Sequence, residues 1–208
     1  MKIPLKTLAC LLALSTSGFG AGLDSFKLTP EWESKIQQTA PDHAPVQPKA
    51  DRKVLVFSLA TGYKHWCIPH TSAMVKILGE KSGAYTTVLS DDIEQFLPEN
   101  ISQYDAIVLN NSCPDRKDRN TLLDVLVNKV DQFGAKYKDL PLEEREALAH
   151  KLYTSLTTYI AEGGGLIILH GGISAFNNSD EFSAIVGGSF NFHPKQQQVT
   201  LNIVDHAH

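Results

Sequence analysis

Six of the eight histidines fall in four short polar stretches, each following an apolar or glycine-rich segment. Gly62-Tyr63-Lys64-His65-Trp66-Cys67-Ile68-Pro69-His70 holds two of them. His170-Gly171-Gly172 holds one, Asn191-Phe192-His193-Pro194 another, and Asp205-His206-Ala207-His208 the last two. A further polar stretch, Asn110-Asn111-Ser112, has no histidine but carries two amides and a hydroxyl. Imidazole titrates near neutrality, so it can take or give a proton at ordinary pH, and it also ligates metals. His170, His65 and His193 are the candidates for acid–base work. Lys64, Asn110 and Asn111 are candidates for holding hydroxyls or a developing oxyanion. A three-imidazole set of His65, His170 and His193, joined by His208, is the alternative use, for a divalent metal such as zinc. That pattern is unspecific: no pair has the i, i+4 spacing of a helical zinc motif, and there is no Cys-x-x-Cys. A single polar loop histidine is more often a surface group or a hydrogen-bonded anchor. His170 stands apart because four apolar residues precede it and two glycines follow. A strand that turns abruptly into a glycine pair presents its last side chain at the top of a sheet, as a nucleophile elbow does.

The elements that must position these groups follow from apolar pattern. Lys53 to Ala60, Tyr104 to Asn110 and Gly165 to His170 are continuous apolar runs, the signature of strands buried on both faces of a parallel sheet. Tyr85 to Leu89 reads as another strand. Helices are expected from about Pro69 to Lys81, Arg119 to Phe133, Leu142 to Ala161 and Ser179 to Val186, with a loop or short helix over Asp91 to Phe96. Gly163-Gly164-Gly165 supplies a left-handed cap after the longest helix. Gln197 to Asp205 alternates apolar and polar residues, which predicts an edge or antiparallel strand. Strands alternating with helices make a doubly wound, mostly parallel α/β sheet. Ligands in such sheets sit beyond the carboxyl ends of the strands, which is where the histidines fall.

The N-terminus reads as an export signal. Lys2 and Lys6 precede a short apolar core over Leu8–Leu14, and Gly18 and Gly20 have the small-residue spacing of a cleavage site near Gly20 or Ala21. The run is too short to span a bilayer, so no membrane span is expected. Residues 22–52 form a Pro-rich tether with a short helix from about Pro30 to Gln38, started by Thr29-Pro30-Glu31. Residues 53–208 make one domain, of a size (about 150 residues) that folds without staples. A net charge of -4 and a pI near 6.0 give no electrostatic case for nucleic acid. Beyond the leader, Cys67 and Cys113 stay open to three readings: unpaired thiols, a disulfide, or a reactive thiol at Cys67 beside His65.

The chain resembles the ThuA-like (trehalose utilisation) family. The resemblance rests on the Lys53–Ala60 strand with Gly62-Tyr63-Lys64-His65 and Ile68-Pro69; on Gln103-Tyr104-Asp105 before a strand; on Gly163-Gly164-Gly165-Leu166 through His170; on Gly187-Gly188-Ser189-Phe190 with His193-Pro194; and on Asp205-His206-Ala207-His208. It implies a flavodoxin-like, class I glutamine amidotransferase-like fold. The elbow residue is His170 where amidotransferases carry cysteine, which implies that glutamine hydrolysis is absent. It also implies a role in carbohydrate metabolism, on keto-disaccharides or glycosides, with Tyr63 and Trp66 stacking on a sugar face and Gly171 and Gly172 allowing close approach. Two departures accompany it. The stretch from Cys113 to Leu142 reads as a helical insertion near the active face, and the chain stops inside its last motif, so the domain is expected to be incomplete at its C-terminus. Two functions follow: a sugar-active enzyme using histidine-assisted proton transfer, or a non-catalytic carbohydrate-binding domain of a longer secreted protein.

Overall fold

The computed structural model describes residues 27–206. The expected leader and its cleavage site lie outside them, as does His208. Four strands, β1 (Lys53–Phe57), β2 (Thr86–Ser90), β3 (Ala106–Asn110) and β4 (Gly165–Leu169), form a wholly parallel sheet in the order β2-β1-β3-β4. The chain leaves β1 in one direction to β2 and returns to add β3 and β4 on the other side. The carboxyl ends of β1 and β3 therefore flank the topological switch point, where doubly wound α/β sheets bind ligands.

Side chains alternate across this sheet and divide the core in two. On one face Leu55, Phe57, Ile107 and Leu109 are buried with Leu152 and Leu156 of α6 (Leu142–Ala161). Ala149, Leu152 and Leu156 recur at helical spacing, which gives α6 its apolar stripe. On the other face Val54, Val56 and Val108 pack with Val75 of α2 (Ile68–Ser82). Gly83, at φ 66, caps α2, and Gly163, at φ 101, follows α6.

Three expectations change. β4 is not buried on both faces: it ends the sheet, and Ile167 remains 48% exposed. The alternating run from Gln197 to Asp205 forms no strand; a strand needs a ladder partner, and Val199, Leu201 and Ile203 are all exposed. The helix expected over Arg119 to Phe133 is broken into α4 (Thr121–Leu123), a π-helical turn (Asp124–Asn128) and α5 (Val130–Phe133). The short helix before the domain, α1 (Pro30–Thr39), has Thr29 at its N-cap, where Oγ1 accepts the Trp32 N–H. It lies against α2, because Lys81 Nζ donates to the carbonyls of Gln37 (2.6 Å) and Ala40 (2.7 Å) and so closes the open end of the helix. The remaining helices are α3 (Pro98–Ile101) and α7 (Asp180–Val186), the latter capped by Ser179. No described helix is long and apolar enough to cross a membrane.

Leu152 is fully buried between α6 and the sheet. Leu152→Ala is expected to lower unfolding stability by about 2–5 kcal/mol in urea titration, and Ile167→Ala by under about 1 kcal/mol.

Candidate active site at the strand ends

β3 ends in Asn110, and the amide of Asn110 sets the polarity of what lies above it. Its side chain is fully buried. The Ile68 carbonyl can only accept, so the Asn110 atom facing it at 3.2 Å is the nitrogen, which also donates to Ser72 Oγ at 2.9 Å. Asn110 Oδ1 is thereby turned toward Thr71 Oγ1, which donates at 2.6 Å, and toward Asn111 Nδ2, which donates at 3.0 Å. Asn111 Oδ1 in turn faces the backbone N–H of Gly171 (3.4 Å) and Nδ1 of His170 (2.8 Å). A backbone N–H can only donate, which confirms that this Asn111 atom is the oxygen. His170 Nδ1 must then carry its hydrogen, and Nε2 holds the free lone pair. One buried amide after another fixes the tautomer of an exposed imidazole.

Backbone geometry accompanies this relay. Asn111 has φ 54 and His170 φ 46, both left-handed. Asn tolerates that region; for histidine it costs about 1–2 kcal/mol, and such strain concentrates at functional sites. The expected sharp turn after β4 is therefore present, and it continues into a 3₁₀ turn over His170–Ser174. The glycine pair serves the close packing of this turn. A β-carbon on Gly172 would lie 2.1 Å from the Leu109 carbonyl oxygen, and one on Gly171 would lie 2.3 Å from Cys113 Sγ and 3.3 Å from His65 Nε2.

His65 comes from the loop after β1. Its ring meets that of His170 edge-on, with centroids 4.5 Å apart and planes at 81°. Tyr63, 67% exposed, stands edge-on to the other side of His65 at 4.6 Å. Partial burial holds the His65 imidazole below its ordinary value, and repulsion from His170 and then His193 adds to the effect. His193 is brought in from beyond α7. Phe190, whose ring packs on His193 at 4.9 Å, is anchored by a backbone–amide pair with Asn177 and by Arg119, which donates to the Phe190 carbonyl at 3.4 Å.

The other expected contributors divide. Lys64, next to His65 in the chain, is exposed and so is available to a ligand. Asn110 is not: it is fully buried, and its bonds go to Ser58 just past β1, to α2 and to Asn111. Asn111 is also buried and reaches a ligand only through His170. Trp66 lies edge-on to His70 at 5.6 Å, and Trp32 of α1 meets the same imidazole at 5.1 Å, so the half-buried Trp66 helps pack its loop onto the helices. His70 is thus a buried packing residue, and His150 lies on α6, away from the strand ends. Among the described histidines, His65 and His170 are in ring contact, and His193 acts on His65 at longer range. Among the described residues no three of the His, Cys, Asp and Glu side chains are grouped to hold a metal ion, and His208 of the expected set lies outside them. Cys67 and Cys113 are both free thiols. Cys113 is buried, and burial pushes its thiol up, which is the wrong direction for a thiolate nucleophile.

Ser58, Thr71 and Ser72 complete the relay. They carry no motif; the only hint in the sequence was that hydroxyl residues lie next to strand exits. Two clefts, of about 410 and 550 Å³, lie elsewhere: one between α3 and α6, the other around Arg52, Asp105 and Gly164 at the amino ends of the strands. Neither adjoins the histidine pair.

A family model described as trehalose utilisation, ThuA, matches residues 53–208. No curated protein and no solved structure gives a match.

In long-range ¹H–¹⁵N NMR, neutral His170 is expected to show Nε2 as its unprotonated nitrogen. Asn111→Gly keeps the left-handed backbone but removes the acceptor, and a mixture of tautomers should follow. His170→Ala should raise the His65 titration midpoint toward an ordinary imidazole. Because the folded midpoint of His65 is depressed, its contribution to stability is present above the unfolded value of about 6.5 and is lost as pH falls through the folded one. Urea titrations from pH 7 to 5 should show a smaller acid-side loss in His65→Asn than in the wild type.

Proposed function

Because the chain belongs to the ThuA family, whose description points to carbohydrate use, we propose that it is a carbohydrate-active enzyme transferring a proton on a keto-disaccharide or keto-glycoside, with His170 as the base. The observation that carries this reading is the fixed tautomer of His170: Nδ1 is tied to Asn111, and Nε2 is left free on an exposed ring at the carboxyl end of β4. A keto group acidifies the neighbouring C–H. His170 Nε2 takes that proton and becomes an imidazolium. Burial holds His65 below its ordinary value, which disfavours a second positive charge beside the new one. Lys64, exposed on the same loop, is placed to stabilise the enolate oxygen, and the exposed Tyr63 ring offers a flat face to a sugar. His193, which acts electrostatically on His65, is the candidate for returning the proton. The imidazole at the elbow, in place of a thiol, argues against glutamine hydrolysis. In this reading the protein acts after export, and the expected leader is removed near Gly20 or Ala21.

One observation favours a second reading, a non-catalytic carbohydrate-binding domain. His170, Tyr63 and Lys64 are open to water, and neither of the two clefts of about 410 and 550 Å³ lies at this site. Incubation with 3-keto disaccharides, followed by NMR with and without chelator, separates the two. Proton exchange or product formation that persists in chelator and falls at least about 100-fold in His170→Ala supports the enzyme. Saturable binding with no turnover supports the binding domain.

A further inference from the structure

We propose that Asp124 is a positioning residue for this reaction: from the π-helical turn of the insertion, its buried carboxylate clamps together the two loops that carry His65 and Asn111. The proposal rests on the reading of His65 and His170 as the reacting pair.

Asp124 is fully buried and opens the π-helical turn Asp124–Asn128, a kind of turn that often marks functional sites. Its Oδ2 accepts from the Thr61 hydroxyl at 2.5 Å and from the Asp115 backbone N–H at 2.6 Å, and its Oδ1 accepts from Asn128 Nδ2 at 3.3 Å. Lys129, one residue beyond the turn, donates to the Thr61 carbonyl at 2.7 Å and pairs with the Asp115 carboxylate at 2.7 Å. Thr61 is thus held at both its hydroxyl and its carbonyl by the insertion, and Asp115 at both its backbone and its side chain.

These two residues begin and end the chain segments that matter. Four residues after Thr61 comes His65, and four before Asp115 comes Asn111. The backbone N–H groups of Thr61 and Gly62 both donate to the Cys113 carbonyl, at 3.1 and 2.9 Å. A β-carbon on Gly62 would lie 2.1 Å from the Pro114 carbonyl oxygen, so the loops touch backbone to backbone. Cys113 then brings its thiol against Gly171, where the His65 ring also packs. The path from Asp124 to the histidine pair is therefore continuous contact.

A buried carboxylate is a poor device for stability alone, because its desolvation offsets much of what its bonds return. Its value here is directional. Two of its three partners belong to the two loops that converge on the pair, and no apolar residue could hold them in register.

The test uses the full chain with Asp124→Asn, Thr61→Val and Thr61→Ser, the last of which keeps the hydroxyl. Hydrogen exchange by mass spectrometry and the rate of His65 modification by diethyl pyrocarbonate are measured without substrate. Turnover of a 3-keto disaccharide is measured separately. In Asp124→Asn and Thr61→Val, exchange should rise about tenfold in residues 60–66 and 113–116 but not in α6 or β3, and His65 should be modified faster. kcat should fall about 10–100-fold with KM changed less. Thr61→Ser should stay close to wild type. The proposal is overturned if both loops exchange as in wild type in the folded variants, or if protection is lost equally in α6 and the sheet, since Asp124 would then serve general stability. If Asp124→Asn does not fold, the contrast between Thr61→Val and Thr61→Ser decides. Exchange confined to the loops in a protein without turnover would keep the clamp and refute the proton-transfer reading.

Discussion

A peptide carbonyl can accept hydrogen bonds but never donate them, and the carbonyl of Ile68 uses that asymmetry to orient everything above β3. It forces the Asn110 amide to face one way, Asn110 forces Asn111, and Asn111 forces the hydrogen of His170 onto Nδ1. Neither amide is free to flip, because both are buried and bonded on more than one side. A buried polar network of this kind is costly if any bond is missing and rigid if all are made. Here the rigidity reaches the one ring that is exposed.

The sheet supplies the other half of the constraint. β3 is buried on both faces, so its carboxyl end cannot shift, and Asn111 N–H pairs with the Leu169 carbonyl at 3.1 Å to carry the ladder one residue past the strand. That bond sets the His170 turn beside the Asn111 turn. Two left-handed residues side by side are strained, and the hydrogen bond between their side chains is what they obtain in exchange. The His65 ring is added by contact: it packs against Gly171 and His170, where partial loss of water lowers its affinity for a proton. The site is thus rigid on the β3 and β4 side and depends on loop packing on the β1 side. The helical stretch after Cys113 meets the molecule on the β1 side, through Asp124 and Lys129.

Much of this could be read from the residues in order. The apolar runs ending in Ala60, Asn110 and His170, separated by helical stretches with glycine caps, implied a parallel sheet with its chemistry at the carboxyl ends, and the sheet is parallel in that sense. The glycine pair after His170 implied a sharp turn, because only residues without a β-carbon fit against the Leu109 carbonyl and the Cys113 thiol. Where the reading failed, it failed on partners. Alternation from Gln197 to Asp205 describes a strand's side chains but not whether another strand is present to pair with it. The apolar run of β4 did not reveal that Ile167 would lie at the end of the sheet.

Composition and spacing therefore determined most of the elements, their order and the stretches where polar residues collect, since local apolar pattern and turn chemistry act within a few residues. Tertiary structure decided which of those polar residues meet. It buried Asn110, turned Trp66 and His70 toward each other, brought the rings of His65 and His170 into contact, and placed Asp124 under a loop more than sixty residues earlier in the chain. Hydrogen-bond direction and ring contact depend on atoms brought together across the whole chain, and no spacing along the sequence encodes them.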